Sequence, residues 1–256
     1  MKQIQKMPEL LAPAGGMEQL RAALRFGADA VYGGMKHYGL RAFAGNFGPE
    51  ELREAVVLCH QMGRKFYVTM NIFPFDDQLP GFIEAARDAA KAGVDAAIVS
   101  DLGAICVLRE QVPELPLHVS TQASTVNAPA VRQYQAMGCE RVILAREMSL
   151  ARIAALHREV GDSIQLETFV HGASCVAWSG RCLLSAALTG RSGNQGACAQ
   201  PCRWEYAVME KKRPGEYLPV SEDLNGTYIF SAKDLNLMPL LPELVQAGVA
   251  SLKIEG

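Results

Sequence analysis

Along this chain, short apolar runs alternate with longer stretches whose apolar positions recur on one helical face. The runs 10–14, 30–34, 66–72, 96–100, 117–121, 141–145, 165–170 and 251–254 read as strands. They are apolar and largely non-alternating, as expected where both faces of a parallel sheet are covered. Helical periodicity is predicted between them, over 17–26, 49–62, 79–92, 103–111, 128–137 and 150–159. Regular strand–helix alternation predicts an α/β fold, either an open doubly wound sheet or a closed barrel. Eight strands in 256 residues match the size of a (β/α)8 TIM-type barrel. The first strand is followed by Ala12-Pro-Ala-Gly-Gly-Met rather than Gly-x-Gly-x-x-Gly, which argues against a Rossmann sheet. The barrel is the preferred fold, with 1–256 as a single domain.

Spacing singles out one region. Successive strand starts lie about 20 to 36 residues apart, except that the seventh and eighth are about 86 apart. The extra length, 172–236, is predicted to be an insertion on the C-terminal face, where barrel active sites form. Within it, 204–210 and 228–233 read as a β-hairpin around the polar stretch 211–226. The sequence stops at Gly256, immediately after the eighth predicted strand. The last barrel helix is therefore expected to be missing, with a partner chain as one source of that region.

Composition narrows the function classes. With 49% hydrophobic and 20% charged residues and a formal charge of −2, the chain has no global electrostatic footprint for nucleic acid, only room for a local patch. The N-terminus lacks the apolar core of a signal peptide. No segment approaches the roughly 18 apolar residues of a membrane span. A cytoplasmic location with reduced thiols is the expectation, and seven cysteines, an odd number, also argue against a disulfide framework.

Cys175, Cys182, Cys198 and Cys202 lie within 28 residues, spaced Cys-x6-Cys-x15-Cys-x3-Cys. Structural zinc sites usually present paired Cys-x2–4-Cys knuckles, a form only Cys198/Cys202 takes. Iron–sulfur clusters accept more varied spacing of four thiolates. Spacing alone leaves zinc and a 4Fe–4S cluster both open. Cys59, Cys106 and Cys139 read as small buried hydrophobes. A Cys175–His171 nucleophilic pair is conceivable, but it gives no reason for three further thiols. Neither His-Glu-x-x-His nor Gly-x-Ser-x-Gly is present.

Other polar residues at strand ends are predicted to face the barrel mouth: Asn71, Ser100, Asp101, Thr121, Gln122, Arg146, Glu147, Glu167, His171, Lys233, Asp234, Lys253 and Glu255. Glu167, His171, Lys253 and Glu255 are the candidates for proton transfer. Asn71, Gln122, Arg146 and Arg41 are candidates for substrate binding, the two arginines as forks for a carboxylate. Arg181, Arg191, Arg203, Lys211, Lys212 and Arg213, interleaved with Trp178, Trp204 and Tyr206, form a basic, aromatic patch suited to phosphate contact and base stacking.

The segment Glu167-Thr-Phe-Val-His-Gly-Ala-Ser-Cys-Val-Ala-Trp-Ser-Gly-Arg-Cys-Leu-Leu-Ser185 resembles the signature of the collagenase-like peptidase family of class U, number 32. The resemblance continues through Gly190–Trp204 and Ser251-Leu-Lys-Ile-Glu-Gly256, and includes Pro8–Gly15, Gly27–Gly33 and Val119–Gln122, so it spans the chain. It is greatest to the branch that 5-hydroxylates tRNA uridine. The resemblance implies an oxygen-independent RNA hydroxylase of the tRNA wobble uridine. It implies a 4Fe–4S cluster on Cys175, Cys182, Cys198 and Cys202, with prephenate, a small carboxylic acid, as hydroxyl source. It also implies a further C-terminal region in full-length relatives. The alternatives are a peptidase, as the family label says, and a non-catalytic metal-stabilised partner subunit.

Overall fold

Eight parallel strands close on themselves. In the computed structural model, β1 (Glu9–Pro13), β2 (Ala30–Gly34), β3 (Lys65–Met70), β4 (Ala96–Val99), β5 (Leu117–Val119), β6 (Arg141–Ile143) and β7 (Gln165–Gly172) pair in sequence order. Three further strands, β8 (Ala207–Met209), β9 (Tyr217–Pro219) and β10 (Leu235–Asn236), precede β11 (Ser251–Ile254). β11 pairs in parallel with both β7 and β1 and completes the ring. The fold is a (β/α)8 barrel. The structure describes residues 7–40, 45–173, 175, 182–204, 206–219 and 234–255.

Helices α1 (Met17–Arg25), α2 (Pro49–Gln61), α3 (Leu79–Ala92), α4 (Leu102–Gln111), α5 (Ala128–Ala136) and α6 (Leu150–Val160) connect the first seven strands. Their starts are written locally. Asp101, Asn127 and Ser149 accept the backbone N–H groups of Ala104, Ala130 and Arg152, which satisfies donors otherwise orphaned at a helix start. Strand parity then divides the apolar residues. Val31, Phe66, Val68, Ala97, Val99, Val119, Val142 and Leu166 point out to the helices and form the larger core. Leu11, Ala30, Tyr67, Ala96, Ile98, Ile143 and Phe169 point in and fill the barrel. Both faces are apolar, which is why the strands do not alternate between apolar and polar.

The long β7–β11 connection contains α7 (Leu184–Thr189), the β8–β9 hairpin, β10 and α8 (Leu241–Gln246). β8 pairs antiparallel with Tyr217–Pro219 across the seven residues 210–216. The predicted partner strand 228–233 lies outside the described residues. A short turn closes the hairpin more locally than the 211–226 loop would. β10 adds antiparallel to the end of β7, and its Leu235 packs against the barrel's inner apolar cluster. Among the described residues no helix is long and apolar enough to cross a membrane.

Cys59 and Cys139 are buried, as small apolar residues would be. Burial pushes their thiols up to about 12 and about 11. Cys106 departs from that expectation: it is exposed on α4, because its position on that helix faces away from the sheet.

Candidate active site at the barrel mouth

A column of alternating charge runs up the inside of the barrel. Arg141, at the start of β6, donates to Glu9 Oε1 at 2.6 Å and Glu167 Oε2 at 2.9 Å. It also reaches Gln165 Oε1 through Nε and Nη2, at 2.9 and 2.7 Å. Glu9 accepts the Tyr67 hydroxyl at 2.8 Å and the Ser251 hydroxyl at 3.3 Å. Above this, Lys253 Nζ lies 3.5 Å from Glu167 Oε1 and 4.0 Å from the centre of the Tyr32 ring. At the mouth, Arg146 pairs with Glu255. Three carboxylates and three cations thus share the interior and balance one another.

Burial works against the Arg141 charge, but Glu167 and Glu9 outweigh it and hold the guanidinium protonated. For Lys253 the balance goes the other way. Desolvation pulls its ammonium below the usual lysine range, although Glu167 and Glu255 oppose the shift. Glu167 is 0% exposed, and its Oε1 accepts no hydrogen bond. The same buried carboxylate therefore has one oxygen bound by Arg141 and the other turned to a lysine.

His118, on β5, sits edge-on to Tyr67 at 4.8 Å. Burial, then Arg141, Lys253 and Lys65, hold it well below the usual imidazole range, so it is neutral. An unfolded chain takes up that proton near pH 6.5 while the folded one does not. Stability is therefore expected to fall as pH drops below about 6, with a contribution of about 1.4 kcal/mol per pH unit. Urea unfolding between pH 5 and 8 (roughly the range where His titrates) checks this: the acid limb should be shallower for His118→Phe than for the wild type.

The remaining expected site residues divide by position. Glu167, Lys253, Glu255 and Arg146 are brought together as described. His171 ends β7 and is exposed. Asn71 follows β3, and its Oδ1 accepts the Leu40 N–H at 3.1 Å, which commits that oxygen to holding the loop after β2. Gln122 lies in the turn after β5, with a buried Oε1 that accepts no hydrogen bond. Glu147, in the next loop, has a buried Oε2 in the same condition. Ser100 donates to the Asn71 carbonyl at 2.8 Å, and Thr121 to that of Leu144 at 3.0 Å. Arg41, Arg181, Trp178 and Lys233 lie outside the described residues. Sequence reasoning missed Glu9, Tyr67, His118, Arg141 and Gln165. Strand parity was the available signal, since Arg141 stands two residues before the inward Ile143, and Glu9 two before Leu11.

The cysteine-rich insertion docks on this mouth. Phe73 N–H, after β3, donates to the Asn194 carbonyl at 3.3 Å, and Gln195 Nε2 donates to the Phe73 carbonyl. Gly196, at φ +84°, presses its backbone against Gly39; a Cβ there would stand 2.5 Å from the Gly39 carbonyl oxygen. Gly196→Ala is expected to weaken docking by about 1–3 kcal/mol. Limited proteolysis should show faster cleavage in 182–204 with little change in global unfolding.

Cys175 follows β7, whereas Cys182, Cys198 and Cys202 lie in the insertion; Cys175 and Cys198 are exposed. Cys202 is within electrostatic reach of the other three: burial raises its thiol, and Cys175, Cys198 and Cys182 add to that against Arg203. Gln200 N–H donates to Cys198 Sγ at 3.3 Å. Among the described residues no three His, Cys, Asp or Glu side chains converge on a point that would hold a single metal ion. Arg203, Trp204, Lys211 and Lys212 are each exposed, while Arg213 is balanced by Glu210 and Glu216.

The profile described as peptidase family U32 matches residues 15–256. The chain belongs to peptidase family U32. Its U32 relatives include "tRNA hydroxylation protein P" of Escherichia coli (strain K12), 41% identical over 97% of this chain and 63% of that protein. "tRNA hydroxylation protein P1" of Bacillus subtilis (strain 168) is 41% identical over 99% of this chain and 59% of that one. A protein named "Collagenase" from Porphyromonas gingivalis (strain ATCC BAA-308 / W83) is 36% identical over 97% and 60%. The chain therefore spans about three fifths of the length of these relatives. A solved U32 peptidase structure superposes with a TM-score of 0.61 at 13% identity, covering 100% of this chain and 96% of that one, which supports the shared fold.

Proposed function

We propose that this U32 barrel is the catalytic domain of an RNA hydroxylase that converts a tRNA wobble uridine to 5-hydroxyuridine. The observation that carries the reading is the placement of four thiols on the C-terminal face, docked over a barrel whose interior is lined with paired charges. The names of the Escherichia coli and Bacillus subtilis relatives support the tRNA assignment. So do the exposed Arg203, Lys211 and Lys212, which offer phosphate contacts, and the exposed Trp204, which offers a stacking face.

Cys175, Cys182, Cys198 and Cys202 would hold a 4Fe–4S cluster. The donor set fits: it is all thiol, and burial together with the neighbouring thiols raises the Cys202 thiol, a shift that a cationic group among them would reverse. The spacing of the four cysteines supports a cluster over zinc, whose structural sites favour paired knuckles. When bound, the cluster supplies redox or Lewis-acid chemistry at the mouth. The chain's own residues orient the reactants there. Arg146 is placed to take the carboxylate of a small acid such as prephenate, the proposed hydroxyl source. Gln122 and Glu147 offer acceptors to a substrate's donor groups, and Lys253 and Glu167 can exchange a proton beneath. A peptidase reading lacks a nucleophile–base pair among the described residues, where no imidazole hydrogen-bonds a thiol.

Anaerobic purification with iron and sulfide analysis and a visible spectrum tests the cluster: a brown protein with matched iron and sulfide is expected. A colourless protein with stoichiometric zinc would overturn it. Nucleoside mass spectrometry of tRNA from a deletion strain tests the substrate, and unchanged 5-hydroxyuridine derivatives would rule against the wobble uridine.

A further inference from the structure

Lys253 is an unusual residue to find inside a barrel. It is 4% exposed, its ammonium is carried over the Tyr32 ring at 4.0 Å, and Glu167 Oε1 at 3.5 Å is its carboxylate neighbour. That oxygen accepts no hydrogen bond in a residue that is wholly buried. A structural ion pair is normally finished with hydrogen bonds to its remaining acceptors. This one is left with an acceptor in place to take a proton from the lysine. Transfer of that proton leaves a neutral amine, while Arg141 stays on Glu167 Oε2 at 2.9 Å. Desolvation already depresses the Lys253 ammonium.

A second cation fixes what kind of molecule such an amine would meet. Arg146 Cζ lies 4.5 Å from the centre of the Phe169 ring, and Lys253 Nζ lies 5.5 Å from the same centre. Amine and guanidinium therefore both lie near one aromatic ring at the barrel mouth. Arg146 pairs there with Glu255, and a ligand carboxylate would take over the place of the Glu255 carboxylate on it.

We propose that Lys253 forms an imine with a 2-oxo acid whose carboxylate is held by Arg146, with Glu167 as the proton carrier. This inference rests on the reading of the mouth as the site of a small carboxylic acid co-substrate. The Lys253 ammonium gives a proton to Glu167 Oε1. The freed nitrogen lone pair attacks the carbonyl carbon, forming the C–N bond, while the carbonyl oxygen takes the proton back from Glu167. The carbinolamine then breaks its C–O bond and releases water, and the nitrogen keeps one proton in the protonated imine. Amine and ketone become imine and water, with no change of oxidation state. The protonated imine is an electron sink on the carbon that bears the carboxylate.

The probe is pyruvate with sodium cyanoborohydride, read by intact mass and peptide mapping of the folded protein. The expected result is a single reduced pyruvyl adduct on the peptide carrying Lys253, formed well ahead of any surface lysine. It should be absent in Lys253→Arg. Glu167→Gln should slow trapping by on the order of 100-fold without loss of the folded circular dichroism signal, and Arg146→Gln should raise the pyruvate concentration required. No adduct on Lys253 in the folded wild type, or labelling no faster than at surface lysines, overturns the proposal. Failure here with tRNA hydroxylation intact sinks the imine alone. Trapping at Lys253 in a protein that leaves tRNA unmodified sinks the RNA reading alone.

Discussion

Arg141→Met is expected to cost about 3–5 kcal/mol of folding stability, the loss seen when one partner is removed from a buried ion pair. The side chain is almost wholly enclosed, as is its partner Glu167, while Glu9 is 15% exposed. Methionine fills much of the volume but leaves Glu167 with only Lys253 and Glu9 with only two hydroxyl donors. An ionised carboxylate in that position is poorly solvated once its guanidinium partner is gone. Adding Glu167→Gln should restore part of the loss, with a coupling of about 0.5–3 kcal/mol between the two sites. Urea unfolding at neutral pH measures both effects. A single variant within about 0.5 kcal/mol of wild type would mean the column contributes little to the closed barrel.

The barrel was legible because its strands are buried on both sides, so each one appears as an uninterrupted apolar run. The same property hid the lower half of the charge column. Lys253 and Glu255 stand out at the end of a strand, whereas Arg141 and Glu9 stand at strand beginnings, where a polar residue reads as the end of a loop. Only closure of the barrel brings Glu9 of β1 beside Arg141 of β6. No local pattern encodes a contact across 132 positions of sequence. Asn71 shows the converse. Its place at a strand end suggested a ligand contact, but the chain spends its Oδ1 on the Leu40 amide. Insertions are read by length and composition, and both were informative here. The pairing inside the insertion was not, because Tyr217–Pro219 is three residues long and contains a proline that a strand pattern discounts.

On the proposed function, Cys202→Ser should have the opposite profile to Arg141→Met: near-normal folding with hydroxylation abolished. The apolar cores lie between strands and helices and inside the strands, and none of the four clustered thiols belongs to either. The insertion touches the barrel through Asn194, Gln195 and Gly196, contacts that do not pass through Cys202. Barrel unfolding should therefore shift by no more than about 0.5 kcal/mol, as for substitutions away from a core. The chemistry should not survive, because Cys202 is one of the four thiols proposed to hold the cluster. A hydroxyl with a far higher pKa does not replace a thiolate ligand at neutral pH. The measurements are iron and sulfide content, the visible spectrum and nucleoside mass spectrometry of tRNA, set beside the unfolding curve. Loss of iron and of the modified uridine with an unchanged curve is the expected outcome. A Cys202→Ser protein that keeps full iron and full hydroxylation would remove Cys202 from the ligand set, and an unfolded one would make the thiols part of the barrel's own stability.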